Sequence, residues 1–157
     1  MYKIQQFIER NFYRFLLPFA RLYWFLFRPQ TRGAKCLILA EGKVLLIQNT
    51  YHRYGFWNLP GGRVGRQETP EGAVVREVRE EVGLSLSSVM KLGEWKSTLE
   101  YKQDTVHIFL AEFSHLPKIT IDPVEISTAE WYPIAALPEH TYTTVTKALE
   151  MYHMRTT

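Results

Sequence analysis

The sequence has little of what usually staples a small protein. Among its 157 residues there is one cysteine, Cys36. That excludes an internal disulfide framework and a cysteine-based zinc site, and it agrees with a reducing compartment such as the cytoplasm. Long apolar runs are also lacking. A membrane-spanning helix needs roughly 20 mostly apolar residues. In the aromatic front of the chain, the uncharged runs 15–20 and 22–27 are split by Arg21 and flanked by Arg14 and Arg28. No small-residue cleavage site follows, so neither a membrane span nor a cleaved secretory signal is expected. The Walker phosphate loop, the nucleophile elbow and the dinucleotide fingerprint are absent. His52, His107, His115, His140 and His153 show no paired metal-ligand spacing.

What is present is a folded domain with a front of different character. Hydrophobic residues make up 46% and charged residues 22%, which suits a core that needs no staples. The net charge of +3 hides a division. Residues 1–35 carry seven basic side chains against Glu9 alone, and ten of the 22 aromatic residues. The other 122 residues hold 12 basic and 15 acidic side chains, so the body is mildly acidic. The high pI therefore describes the front and says nothing for nucleic-acid binding by the body.

In the front, Ile4, Phe7, Ile8, Phe12, Phe15, Phe19, Leu22 and Leu26 follow helical spacing, with a kink expected at Pro18. Residues 1–31 read as an amphipathic helical extension, with residues 28–33 as a connector. Its composition leaves three uses open: packing on the domain or in a homodimer, peripheral contact with a membrane surface through residues 1–28, and contact with RNA phosphates. Residues 32–157 read as the second unit. Strands are expected at 34–40 and 43–48 around the turn Glu41-Gly42, then at 89–95, 97–102 and 105–113. A last helix is expected at 141–154. Thr69 as N-cap, Pro70 at the first helical position and Gly83 as the stop frame a helix between the second and third strands. Strands mixed with few helices indicate an α+β or α/β sandwich with helices on the sheet faces.

At about 100° per residue, that helix sets Val74, Val75, Val78 and Val82 on one side. Glu77, Glu80 and Glu81 then fall on roughly the opposite side. Three carboxylates at spacings of three and four repel one another. Such a face is either solvated or relieved by divalent cations, for which carboxylate oxygens are suitable hard ligands. Pro60-Gly61-Gly62, just before the helix, lets backbone approach a ligand closely and favours the cation reading.

These residues resemble the signature of the Nudix hydrolase family, the MutT-like enzymes. The Nudix box is a glycine, five residues, a glutamate, seven residues, then Arg-Glu-aliphatic-x-Glu-Glu-x-Gly-aliphatic. Gly62, Glu68, Arg76, Glu77, Val78, Glu80, Glu81, Gly83 and Leu84 match it without a gap. Trp57-Asn58-Leu59-Pro60 before the box and Glu130-Trp131-Tyr132 after it add to the likeness, which covers about residues 32–154. The resemblance implies an α/β/α sandwich with a mixed sheet. It implies metal-dependent hydrolysis of a nucleoside diphosphate linked to another moiety. By matching position, Glu77, Glu80 and Glu81 are the expected ligands of Mg²⁺ or Mn²⁺, with the Gly61 carbonyl as a further ligand. Glu68 and Arg76 are the expected structural brace. Glu125 is the first candidate for an additional catalytic acid, and Asp122 the second.

The box leaves the attached group open. Tyr51 and Tyr54 are candidates to stack on a base, and Arg53 and Arg63 to clamp phosphates. Phe56 and Trp57 read rather as core residues under the loop. Family members that act on diadenosine polyphosphates carry a tyrosine some 16 to 18 positions after the box. Here Tyr101 lies 17 positions beyond Leu84, and position 99 is leucine rather than proline. This leans toward a dinucleoside polyphosphate, with nucleoside triphosphates, ADP-ribose and RNA 5′ ends remaining open. A regulator that binds a nucleotide without turnover is the reading of another class.

Overall fold

Two apolar runs separated by Glu41-Gly42 form the first hairpin. They are β1 (Gln30–Ala40) and β2 (Lys43–Asn49). Glu41 at φ 50° and Gly42 at φ 72° supply the left-handed pair that a two-residue hairpin turn requires. The computed structural model describes residues 30–50, 55–97 and 103–156. The helical extension expected for the front lies outside these residues apart from its last two. Most of the strand expected at 97–102 lies outside them as well.

β1 starts at Gln30, inside the stretch read as a connector. The reason is its partner. β1 runs parallel to β4 (Gln103–Phe113), in register from Gln30↔Gln103 to Ala40↔Phe113. β3 (Met90–Ser97) pairs antiparallel with β4, and β5 (Ile126–Pro133) antiparallel with β2. The mixed sheet has the order β3-β4-β1-β2-β5. β5 escapes sequence reading because only Ile126 in it is buried, so no apolar run marks it. Backbone pairing to β2 defines it.

The helix α1 (Pro70–Val82) has the expected caps. The Thr69 hydroxyl oxygen accepts from the Gly72 N–H at 3.1 Å, and Gly83 takes φ 71°. Side chains of β1 alternate between the two sheet faces. On one face Ala34, Cys36 and Ile38 pack with Ala73, Val74, Val78 and Val82 of α1. On the other, Leu37 and Leu39 pack with Val145, Ala148 and Leu149 of α2 (Thr143–Thr156). Helix, sheet and helix make the α/β/α sandwich. Among the described residues, no helix is long and apolar enough to cross a membrane.

One expectation about α1 is corrected. Glu81 does not stand opposite the valines. It follows Val74 by seven residues, nearly two full turns, so the two side chains are only about 20° apart. Glu81 is accordingly 1% exposed, while Glu80 faces solvent. A buried carboxylate on an apolar stripe is a cost to folding that calls for a function.

The N-cap gives a direct check. Thr69→Ala removes the acceptor for the Gly72 N–H and is expected to cost about 1 kcal/mol in urea unfolding. Unchanged stability would show that α1 does not depend on this cap.

Candidate active site

β1 and β2 pair only beside their turn, at Leu39↔Val44 and Ala40↔Lys43. Beyond that they diverge, and residues 58–64 fill the fork. On one side Asn58 and Ile47 exchange both backbone hydrogen bonds at 2.9 Å. On the other, the Ala34 and Cys36 N–H groups donate to the Gly62 and Pro60 carbonyls, each at 2.9 Å. The Val64 N–H donates to the Arg32 carbonyl at 2.8 Å. A loop bonded on both sides is held like a strand.

Both glycines in this loop are required by space. Gly61 has φ 125°, and a Cβ there would stand 2.2 Å from the Ala34 carbonyl oxygen. At Gly62 a Cβ would fall 2.5 Å from the carboxyl carbon of Glu77. The first glycine thus lets the loop lie against β1, and the second leaves room for a carboxylate over the loop.

Three acids converge here from different elements. The Gly61 N–H donates to Glu81 Oε2 at 2.6 Å in a buried setting. Glu77 is one helical turn away, over Gly62. Glu125 arrives from the segment before β5. That segment is tied to the end of α1, where Thr120 and Asp122 N–H groups donate to the Val82 and Glu81 carbonyls at 3.1 and 3.2 Å. It is also tied to the end of β2, where the Thr50 N–H donates to the Glu125 carbonyl at 2.9 Å. One carboxylate oxygen from each of Glu77, Glu81 and Glu125 lies within 4.8 Å of the others.

The electrostatics record this crowding. Burial, above all, pushes the Glu81 carboxyl up to about 7, and the charges of Glu77 and Glu125 add to it. Lys35 and the Gly61 N–H act in the opposite direction. Glu125 is raised too, by burial first and then by Glu77, Asp122 and Glu80. Three hard oxygen donors that repel one another fit a divalent cation of the Mg²⁺ or Mn²⁺ type. Asp122 lies outside this trio, and its Oδ1 accepts the Val124 N–H at 2.9 Å.

Arg76 ties the loop to the helix. Its Nε and Nη2 reach both carboxylate oxygens of Glu68, at 2.9 and 3.1 Å. Its Nη1 donates to Glu77 at 2.7 Å and to Glu80 at 3.0 Å. These carboxylates raise the Arg76 pKa, and Arg76 holds Glu68 down to about 2. A planar guanidinium with fixed donors suits this role as a lysine would not.

The other residues singled out in the sequence fare differently. Glu80 is turned to Arg76 and lies outside the trio of Glu77, Glu81 and Glu125. Arg63 is exposed, and its carbonyl accepts from Arg76 Nη2 at 3.3 Å. Trp57 is buried against Tyr132, with ring centroids 4.8 Å apart, and Phe56 stacks on His140 at 5.3 Å. Tyr51, His52, Arg53, Tyr54 and Tyr101 lie outside the described residues. Lys35 is a site residue that sequence reading missed. Its Nζ donates to the Gly61 carbonyl, and it faces the charges of Glu81 and Glu77. Burial, the larger effect, lowers its pKa, while those two charges raise it. The available signal was a single lysine interrupting the apolar run 34–40.

Comparison with known proteins agrees with this geometry. The chain matches the family model of the NUDIX domain over residues 29–152. It is 35% identical over 108 residues to the NAD-capped RNA hydrolase NudC of Escherichia coli O1:K1, covering 67% of this chain and 41% of that protein. The chain thus spans about two fifths of the length of the curated relatives it matches, 41% for this one. A MutT NUDIX hydrolase from Burkholderia pseudomallei has a similar structure, with a TM-score of 0.70 at 26% identity, over 78% of this chain and 97% of that one. The NUDIX domain of Shewanella oneidensis NrtR, solved with ADP ribose, gives 0.70 at 22% identity, over 84% and 92%. At that identity the likeness is one of fold.

The buried carboxylate gives a pH signature in the metal-free protein. Glu81 holds its proton more tightly folded than unfolded, since its pKa rises from 4.5 to about 7. Its contribution to stability is fully present below pH 4.5 and is lost as pH rises through about 7. Wild type is therefore expected to lose stability relative to Glu81→Gln over that window, by at most about 3 kcal/mol. Urea unfolding of both proteins in chelator at several pH values measures it. Parallel profiles would show that Glu81 does not bear this charge.

Proposed function

The chain belongs to the Nudix family, and we propose from that premise that it is a metal-dependent pyrophosphohydrolase. Its reaction is attack of water on phosphorus in a nucleoside diphosphate linked to another moiety. The observation that carries this reading is the meeting of Glu77, Glu81 and Glu125 within 4.8 Å beside the Gly61-Gly62 loop. A bound divalent ion supplies charge neutralisation at the phosphate oxygens and a more acidic water. The chain's own residues do the positioning. Glu77, Glu81 and Glu125 are the ligands assigned here, with Glu80, whose Oε2 is bonded to Arg76, as a further donor. The Gly61 N–H orients Glu81, and the brace of Glu68 and Arg76 keeps Glu77 over Gly62. Glu125 is the most exposed of the three, which suits it to accept a proton from the attacking water.

For the substrate we infer two nucleosides joined through phosphates. The relative named as an NAD-capped RNA hydrolase supports this, and the position of Tyr101 after the box points the same way. Tyr51, Arg53, Tyr54, Arg63 and Tyr101 are assigned to its binding. Residues 32–157 are taken as the hydrolase unit and residues 1–31 as an appended extension.

A panel of NAD, dinucleoside polyphosphates, ADP-ribose and nucleoside triphosphates with Mg²⁺ or Mn²⁺ tests both levels. Cleavage of the dinucleotides ahead of the others is expected, and preference for nucleoside triphosphates would overturn the substrate reading. Glu77→Gln and Glu81→Gln are each expected to lower kcat/KM by about 100-fold or more, and Glu80→Gln by less. Full activity in the first two would remove the assigned chemistry. Tight binding of one nucleotide with no turnover of any would instead make the chain a regulator.

A further inference from the structure

Lys35 is a feature of this site that the box does not account for. It sits in the middle of β1 between Ala34 and Cys36, both fully buried. Its partner on β4, Ile108, is fully buried as well. A lysine in such a strand is costly unless its ammonium group has a defined place. Its place is the Gly61 carbonyl oxygen, which accepts a hydrogen bond from Lys35 Nζ. The N–H of the same residue, Gly61, is bonded to Glu81 Oε2 at 2.6 Å. One residue of the loop thus holds a carboxylate at its nitrogen and a cation at its oxygen.

That oxygen is the one the family resemblance offers to a metal ion. A carbonyl oxygen has two lone pairs, but an ammonium group on one of them repels a dication on the other. We propose that the Lys35 ammonium occupies one of the cation positions of this site, so that the chain binds one divalent ion fewer than its carboxylates and the Gly61 carbonyl would otherwise hold. The inference rests on the metal-dependent reading given above. Lys35 offsets part of the charge of Glu77 and Glu81 when no metal is present. It also moves the bound ions toward Glu77 and Glu125, away from Gly61.

The test counts ions rather than turnover. Mn²⁺ is titrated into wild type, Lys35→Met and Lys35→Arg, each shown folded by circular dichroism, and free Mn²⁺ is read by electron paramagnetic resonance. Lys35→Met is expected to gain one Mn²⁺ per chain, while Lys35→Arg keeps the wild-type count. Equal counts in wild type and Lys35→Met overturn the inference and leave the metal-dependent reading standing. No Mn²⁺ bound by any of the three overturns both. Should Lys35→Met fail to fold, anomalous scattering from Mn²⁺-soaked wild-type crystals decides. Ions confined to the three carboxylates support the inference, and an ion bonded to the Gly61 carbonyl with Lys35 displaced contradicts it.

Discussion

The hydrogen bond from the Gly61 N–H to the Glu81 carboxylate is the contact on which the site depends. At 2.6 Å and out of water, it joins the loop in the β1–β2 fork to the helix α1. Everything on either side is arranged around it. The loop keeps its position because β1 and β2 each bond to it, and Gly61 fits there because no Cβ stands in the way of Ala34. The helix keeps its position because Val74, Val78 and Val82 are buried against the sheet. Break the bond and Glu81 becomes a buried charge with less support, which is costly by the general rule for such groups.

The same arrangement explains why the site is strained without a cation. Three carboxylates meet where one of them is 1% exposed, and two of them have raised pKa values. A protein selected for stability alone would carry an apolar residue at position 81, in line with Val74 and Val78. The brace works against the strain. Arg76 contacts Glu68, Glu77 and Glu80 at once, so the acidic face of α1 is partly neutralised from the solvent side. Lys35 does the same for Glu77 and Glu81 from β1. Arg76 and Lys35 thus each offset part of the charge of Glu77.

Much of this was legible in the residue order. Thr69, Pro70 and Gly83 delimit α1 because caps are local chemistry, and the Nudix box names its acids because a family signature ties residue type to spacing. Glu125 was the first candidate acid beyond the box, and the Thr50 and Asp122 contacts explain how it comes beside Glu77 and Glu81. What stayed hidden depends on partners distant in sequence. The first residues of β1 form a strand because β4 lies beside them, not because of their own composition. β5 has an edge-strand sequence with one buried residue. Lys35 looks like a charge in the basic front until the loop, 26 positions later, supplies its acceptor. Glu81 was placed with the solvent-facing acids because the helix was read as two opposed faces, and a buried polar residue on the boundary defeats that reading.

The claim that this fork and helix form a hydrolytic centre is tested most directly by wild-type turnover of a dinucleotide such as NAD in ¹⁸O-labelled water. With Mg²⁺ present, the expected result is cleavage of the diphosphate bond and one ¹⁸O atom in one of the two phosphate products, with no cleavage in excess chelator. Equal cleavage with and without chelator, or label delivered to carbon rather than phosphorus, would contradict it.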